Sequence, residues 1–221
     1  MDFLSALFAI VIIDLVLAGD NAIVIALAAR NLPPELRTRA IVWGTGGAIF
    51  VRTLMTLVVV WLLQIPGLLL AGGLLLLWIA YKLLIDSEGG GEHHIDSGAN
   101  FWGAMKTIVV ADAVMGLDNV LAVAGAAHGS FLLVVLGLLI SIPIMIAGSQ
   151  IILRYVQKFP VIVYIGSGVL VWTAAKMISH EPLVSAYFVA LGYFIWLVYA
   201  ALTGAILYAG YSRNKASKTV L

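Results

Sequence analysis

The chain has 221 residues, of which 63% are hydrophobic and 10% charged, with no cysteine and a formal net charge of +1; its mean hydropathy is +1.11. Such a composition cannot give a soluble domain its polar surface, and it places the chain in a bilayer. Disulfides, thiolate metal sites and thiol redox chemistry are excluded, and so near-neutral a balance gives no reason to invoke nucleic acid.

The N-terminus, MDFLSALFAIVIID, lacks the basic region and cleavage site of a signal peptide and reads as the start of a retained helix. A transmembrane helix needs about 20 largely apolar residues. Seven such runs follow one another, at roughly 3–30, 40–63, 66–85, 101–128, 131–153, 160–179 and 184–210, bounded by Pro, Gly and charge. The expected fold is therefore an all-α membrane protein of seven transmembrane helices. Most connections are short, but DSEGGGEHHIDSGA, Asp86 to Ala99, holds a glycine run and charges that cannot cross hydrocarbon. It reads as a cytoplasmic flexible linker over 86–100. Its Glu92, His93, His94 and Asp96 resemble crowded metal ligands, although short solvated loops are often polar for solubility alone.

Orientation follows from the basic residues. Of the twelve, ten (Arg30, Arg37, Arg39, Lys82, Lys106, Arg154, Lys158, Arg213, Lys215 and Lys218) share the C-terminal side of a seven-span topology, and Lys176 lies opposite. The N-terminus is expected outside and the C-terminus in the cytoplasm. Arg52, the twelfth, falls inside the second span and needs a partner: a structural acid, or a site where it acts as a fixed countercharge when a cation leaves.

The chain also reads as built twice. A shift of 98 positions lays Asp14 on Asp112, Asp20 on Asp118 and Asn21 on Asn119; a shift of 94 lays Pro66 on Pro160, Trp78 on Trp172 and Lys82 on Lys176. Three helices form the unit, and an odd number of spans inverts the second copy in the membrane, as in secondary transporters. The expected organisation is a first repeat at 1–85, the linker, an inverted repeat at 101–180, and a seventh helix with a cytoplasmic tail at 181–221. That last helix is rich in Tyr, Phe and Trp and reads as lipid-facing or packing.

Four of the eleven acidic residues, Asp14, Asp20, Asp112 and Asp118, lie inside spans, where an aspartate at the helix centre costs about 2.5–3.5 kcal/mol on an insertion scale. A straight helix does not converge Asp14 with Asp20, six residues on, and Gly19 and Gly116 stand where breaks would help. The two Asp-Asn segments, Asp20-Asn21 and Asp118-Asn119, with Asp14 and Asp112 beside them, are expected to enclose a cation. Carboxylate and amide oxygens suit a hard divalent ion. Met115 could add a softer ligand but equally serves packing, and Ser141-Ile142-Pro143 frees a carbonyl in the fifth span or simply bends it.

DLVLAGDNAIVIALAAR and its echo ADAVMGLDNVLAVAGAAHG, with SIPIMIAGSQIIL and FPVIVYIGSGVLVWTAAKMI, resemble the TerC family of bacterial integral membrane proteins over roughly residues 3 to 210. The resemblance implies kinship with LysE-like exporters, an association with tellurite resistance, and Mn²⁺ export across the plasma membrane, including supply of the metal to secreted enzymes. It makes Asp20, Asn21, Asp118 and Asn119 the core ion ligands, with the metal as cargo and no resident cofactor. A carboxylate that takes either a proton or the metal would couple export to proton entry. The implied partners are the lipid bilayer and the divalent ion, with a homodimer or a secretion-machinery partner left open. Three other readings stand beside it: an exporter of a cationic amino acid or other small solute, an intramembrane aspartyl protease, for which LAGD and MGLD lack the GxGD pattern, and an assembly partner that moves nothing.

Overall fold

The structure, a computed structural model, describes residues 3–17, 19–62, 65–85, 97–127 and 130–219, and within its helices a few side chains, those of Asp118 and Asn119 among them, lie outside the description. The described residues form helices α1 (Phe3–Leu17), α2 (Gly19–Ala29), α3 (Pro34–Leu62), α4 (Leu68–Ile85), α5 (Ser97–Ala126), α6 (Phe131–Lys158), α7 (Val161–His180), α8 (Ser185–Ala190) and α9 (Ile195–Thr219), with no strand among them.

Five of these helices are long and apolar enough to cross a membrane. The number is six if Phe3–Leu15 and Asp20–Ala29, bent by 51° at their junction, are one broken span. Seven spans were expected, and five or six are found among the described residues; the fourth expected run is α5, 30 residues long, which carries several side chains outside the description. Two expectations about continuity change. The first span bends between Leu15 and Asp20, but α5 runs unbroken through Gly116, the corresponding region of the second copy. The seventh run is not one helix: α8 gives way to a 3-10 turn at Gly192–Phe194 before α9 starts, and Gly192 takes φ +51°, a backbone state that side chains disfavour. The linker residues 86–96, with Glu92, His93, His94 and Asp96, lie outside the described residues.

The chain forms two compact units. The first holds α1, α2, α3, α5 and α6, with α3 packed along α5 and both α1 and α2 against α6. Two apolar clusters build it. One gathers Ala6, Ile10, Ile49, Val123, Leu133 and Leu138; the other gathers Ile25, Ala29, Ile41, Ala104, Ile108 and Leu153. Following the chain, α1–α2 passes from the first cluster to the second, whereas α5 passes from the second to the first. The two therefore run in opposite senses, and so do α3 and α6. Pro143 stays within a continuous α6, where the hydroxyl of Ser141 donates to the Gly137 carbonyl at 3.1 Å.

The second unit holds α4, α7, α8 and α9, with α7 packed on α4 and on α9. α4 and α7 are antiparallel and close. A Cβ on Gly73 would stand 2.5 Å from Ile178 Cγ1 and 2.9 Å from the Ala174 carbonyl oxygen, so the contact exists because residue 73 has none. At the other end the side-chain amide of Asn214 donates to the Leu84 carbonyl at 3.2 Å. The hydroxyls of Ser179 and Tyr199 hydrogen-bond, and Trp172, Trp196 and Tyr199 pack ring against ring, 5.3–5.7 Å between centroids. Of the seventh run's aromatics, Tyr187 and Tyr193 are exposed, as a lipid-facing surface needs, and Tyr199 is buried in packing.

Glu181, just past α7, caps this unit. Its carboxylate accepts the backbone N–H groups of Gly67 at 2.8 Å, Leu69 at 3.0 Å and Leu70 at 3.3 Å, satisfying donors that the first turn of α4 leaves free. Burial pushes this carboxyl up, but the N–H bonds from Gly67, Leu183, Leu70 and Leu69 outweigh that and hold it below its ordinary value of 4.5.

Candidate functional site: a buried acid, amide and guanidinium cluster

Along α1–α2 and along α5 the polar residues fall between the two apolar clusters of the first unit. Asp14 lies in the last turn of α1, Asn21 in the first turn of α2, Asp112 at the middle of α5 and Arg52 on α3. Asp14, Asn21 and Arg52 are each 1% exposed and Asp112 3%. A helix with an apolar stripe and one acid places that acid against its neighbours, because the lipid side offers it nothing.

The guanidinium of Arg52 joins the acids. Its Nη1 donates to Asp14 Oδ1 at 2.6 Å, and its Nη2 donates to Asp112 Oδ1. Asn21 adds a third contact, Nδ2 donating to the same Asp112 oxygen at 2.9 Å. The second oxygens of both aspartates, the side-chain oxygen of Asn21 and Nε of Arg52 have no hydrogen-bond partner among the described residues. A Cβ at Gly116 would lie 3.4 Å from Nε, an ordinary van der Waals contact. The glycine of MGLDN sits within a continuous α5 rather than at a break.

Charge bookkeeping shows what this arrangement can do. Two carboxylates against one guanidinium leave a net −1 when all are ionised, in a place where unpaired charge is costly. Three buried oxygens remain as acceptors. Such a cluster attracts a proton or a cation.

The structure brings together three of the six sequence-derived site residues: Asp14, Asn21 and Asp112. Asp20 takes the first turn of α2 beside Asn21 and is half-buried. Asp118 and Asn119 lie on α5, their side chains outside the described residues. Among the described residues no three His, Asp or Glu side chains form a group that could hold a metal. The physical reason is visible at Asp14 and Asp112, between which the guanidinium lies. Glu181 was missed by sequence reasoning, because a glutamate at a span end carries no signal that tells a helix cap from a solvated side chain.

The chain as a whole is similar to known proteins. Residues 1–217 match the family described as "Integral membrane protein TerC family". The "Uncharacterized membrane protein YjbE" of Bacillus subtilis (strain 168) is 47% identical over 186 residues, 84% of either chain. The "UPF0053 protein YegH" of Escherichia coli (strain K12) is 28% identical over 194 residues, which are 80% of this chain but 37% of that protein. The "UPF0053 inner membrane protein YgdQ" of the same strain is 26% identical over 171 residues, 70% of this chain and 72% of its own. No solved structure matches.

Proposed function

The chain belongs to the TerC family of integral membrane proteins, and from that premise we propose that it is a multi-pass transporter of the bacterial plasma membrane that exports a hard divalent cation, Mn²⁺, through a site of acids and amides. The N-terminus is outside and the C-terminus cytoplasmic in this reading. The observation that carries it is the buried cluster of Asp14, Asp112, Asn21 and Arg52, net −1 with three oxygens that have no partner among the described residues. A cation leaving water needs carboxylate and amide oxygens that replace its hydration shell, and hard ions take these ligands.

Two further features support the reading. The first span is broken next to Asp20, and broken helices near the midplane are where transporters expose polar groups to ions. The opposite senses of α1–α2 and α5, and of α3 and α6, suit an inverted pair of three-helix repeats and hence alternating access. Asp20, Asp118 and Asn119 complete the ligand set, and protons entering through the same carboxylates drive the metal out. The aspartyl-protease reading rests on Asp20 and Asp118, whose segments LAGD and MGLD lack the GxGD pattern.

Inside-out vesicles holding wild type, Asp20→Asn or Asp118→Asn test this by following Mn²⁺ uptake and lumenal pH. Uptake in the wild type with proton release, lost in both variants, supports the exporter. Equal signals in all three sink it, and inhibition by lysine but not by Mg²⁺ would turn the reading towards a cationic amino acid.

A further inference from the structure

Arg52 is used in an unusual way. It is among the largest side chains fully buried in the protein, and it stands on α3 while its partners stand on α1 and α5. An arginine placed only to stitch helices makes its strongest bond as a two-pronged fork on one carboxylate, leaving a neutral pair. Here each prong goes to a different aspartate, each aspartate uses one oxygen and keeps the other unpaired, and Nε lies unpaired beside Gly116 among the described residues. Half-satisfied buried networks are poor at holding a fold together. They suit groups that exchange partners.

We propose that Arg52 is a tethered cation: it occupies Asp14 and Asp112 while cargo is absent, and a divalent ion binds by displacing it from at least one of them. The proposal rests on the cation-export reading above and adds what the site holds between transport cycles. Its chemistry follows from charge. With the guanidinium in place the pair of acids keeps one uncompensated negative charge, enough to draw in a cation. When a divalent ion takes the carboxylate oxygens, the two acids are neutralised, and the arginine, still tethered by its backbone on α3, is left as a nearby positive charge that opposes the ion. Arg52 therefore weakens binding and hastens release. The half-satisfied bonds let the guanidinium leave.

The test uses purified wild type, Arg52→Lys and Arg52→Gln in detergent, titrated with Mn²⁺ by calorimetry, and the same proteins in inside-out vesicles. If the free site is mostly occupied by Arg52, apparent affinity is reduced by the fraction of time it is open, so Arg52→Gln binds about tenfold tighter than wild type. Arg52→Lys, whose ammonium cannot bridge both acids with two prongs, falls between them. Efflux per protein drops in both variants, because release has lost its push. Arg52→Lys keeps the buried charge paired and decides the matter if Arg52→Gln does not fold. Affinity in a folded Arg52→Lys that equals or falls below wild type overturns the proposal while wild-type efflux leaves the export reading intact. Tighter binding in the variants with no wild-type efflux upholds the tethered cation and removes the export reading. Absence of Mn²⁺ binding in all three proteins overturns both.

Discussion

Asp14 and Asp112, ninety-eight positions apart in the chain, share one guanidinium: Arg52 gives Nη1 to the first and Nη2 to the second. A residue from each copy of the doubled motif is thus tied to the same cation, and the tie orders the sensitivity of the cluster to mutation. Removing Arg52 strands two buried carboxylates, whereas removing one aspartate leaves a neutral pair. Arg52→Met is therefore expected to be the costliest change, about 3–5 kcal/mol. Asp112→Asn, which also disturbs the bond from Asn21, follows it, and Asp14→Asn costs least. Thermal unfolding of the three variants in detergent gives the order directly, and equal losses would contradict the charge count.

Asn21 orients the shared acid. Its amide donates to Asp112, so Asn21→Leu removes one hydrogen bond, worth about 0.5–1.5 kcal/mol, and lets the carboxylate turn. Mn²⁺ efflux from vesicles is expected to fall by up to about tenfold, since 1.4 kcal/mol corresponds to a factor of ten. Asn21→Asp puts a third acid against Asp112 and is expected to unfold the protein at lower temperature, with Mn²⁺ giving back part of the loss.

Glu181 sets a pH dependence in the second unit. Its pKa in the fold lies below the ordinary 4.5, so the stability it supplies is fully present above that ordinary value and is lost as the pH falls through the lower, folded one. Protection of the Leu69 and Leu70 amides, taken against their intrinsic exchange rate at the same pH, should be high at pH 6 and fall as the pH drops through the folded pKa in wild type. In Glu181→Gln it should be lower at both, with a loss of about 1 kcal/mol typical of a broken helix cap.

Gly73 permits the approach of α4 to α7, where a Cβ would meet Ile178 and the Ala174 carbonyl. Gly73→Leu is expected to cost about 1–3 kcal/mol by overpacking. A smaller side chain at 178 should recover part of it, so Gly73→Ala combined with Ile178→Ala should unfold at a higher temperature than Gly73→Ala alone. The same unfolding assay checks both.

Much of this architecture was legible in the sequence because a bilayer makes polarity conspicuous. Asp14, Asp112 and Arg52 stood out as charges within apolar runs, and the need of Arg52 for an acid partner followed from cost alone. Some helix limits were readable from Pro, Gly and charge to within a few residues, but α3 starts six residues before the expected run, α6 runs five past it and α9 nine past it, because helices continue beyond the apolar stretch into charged residues. Hydropathy also hid the bend of the first span between Leu15 and Asp20 and the change of course at Gly192. Gly116 misled for the opposite reason. Hydropathy and glycine count cannot tell a break from a glycine carried inside a continuous helix. Glu181 and Asn214 were invisible, because polar residues at span ends are ordinary and their partners lie 110 or more positions away.

The shared arginine also bears on how the chain is made. Asp14 and Arg52 both precede the glycine-rich segment, and Asp112 follows it, so a ribosome delivers the first two to the translocon before the third exists. Each alone would cost about 2.5–3.5 kcal/mol to insert at mid-membrane, but together they form a neutral couple that the first three helices can carry into lipid unaided. Asp112 then arrives as a lone acid, and the prong of the guanidinium that Asp14 leaves unused ties the later half of the chain to the earlier one.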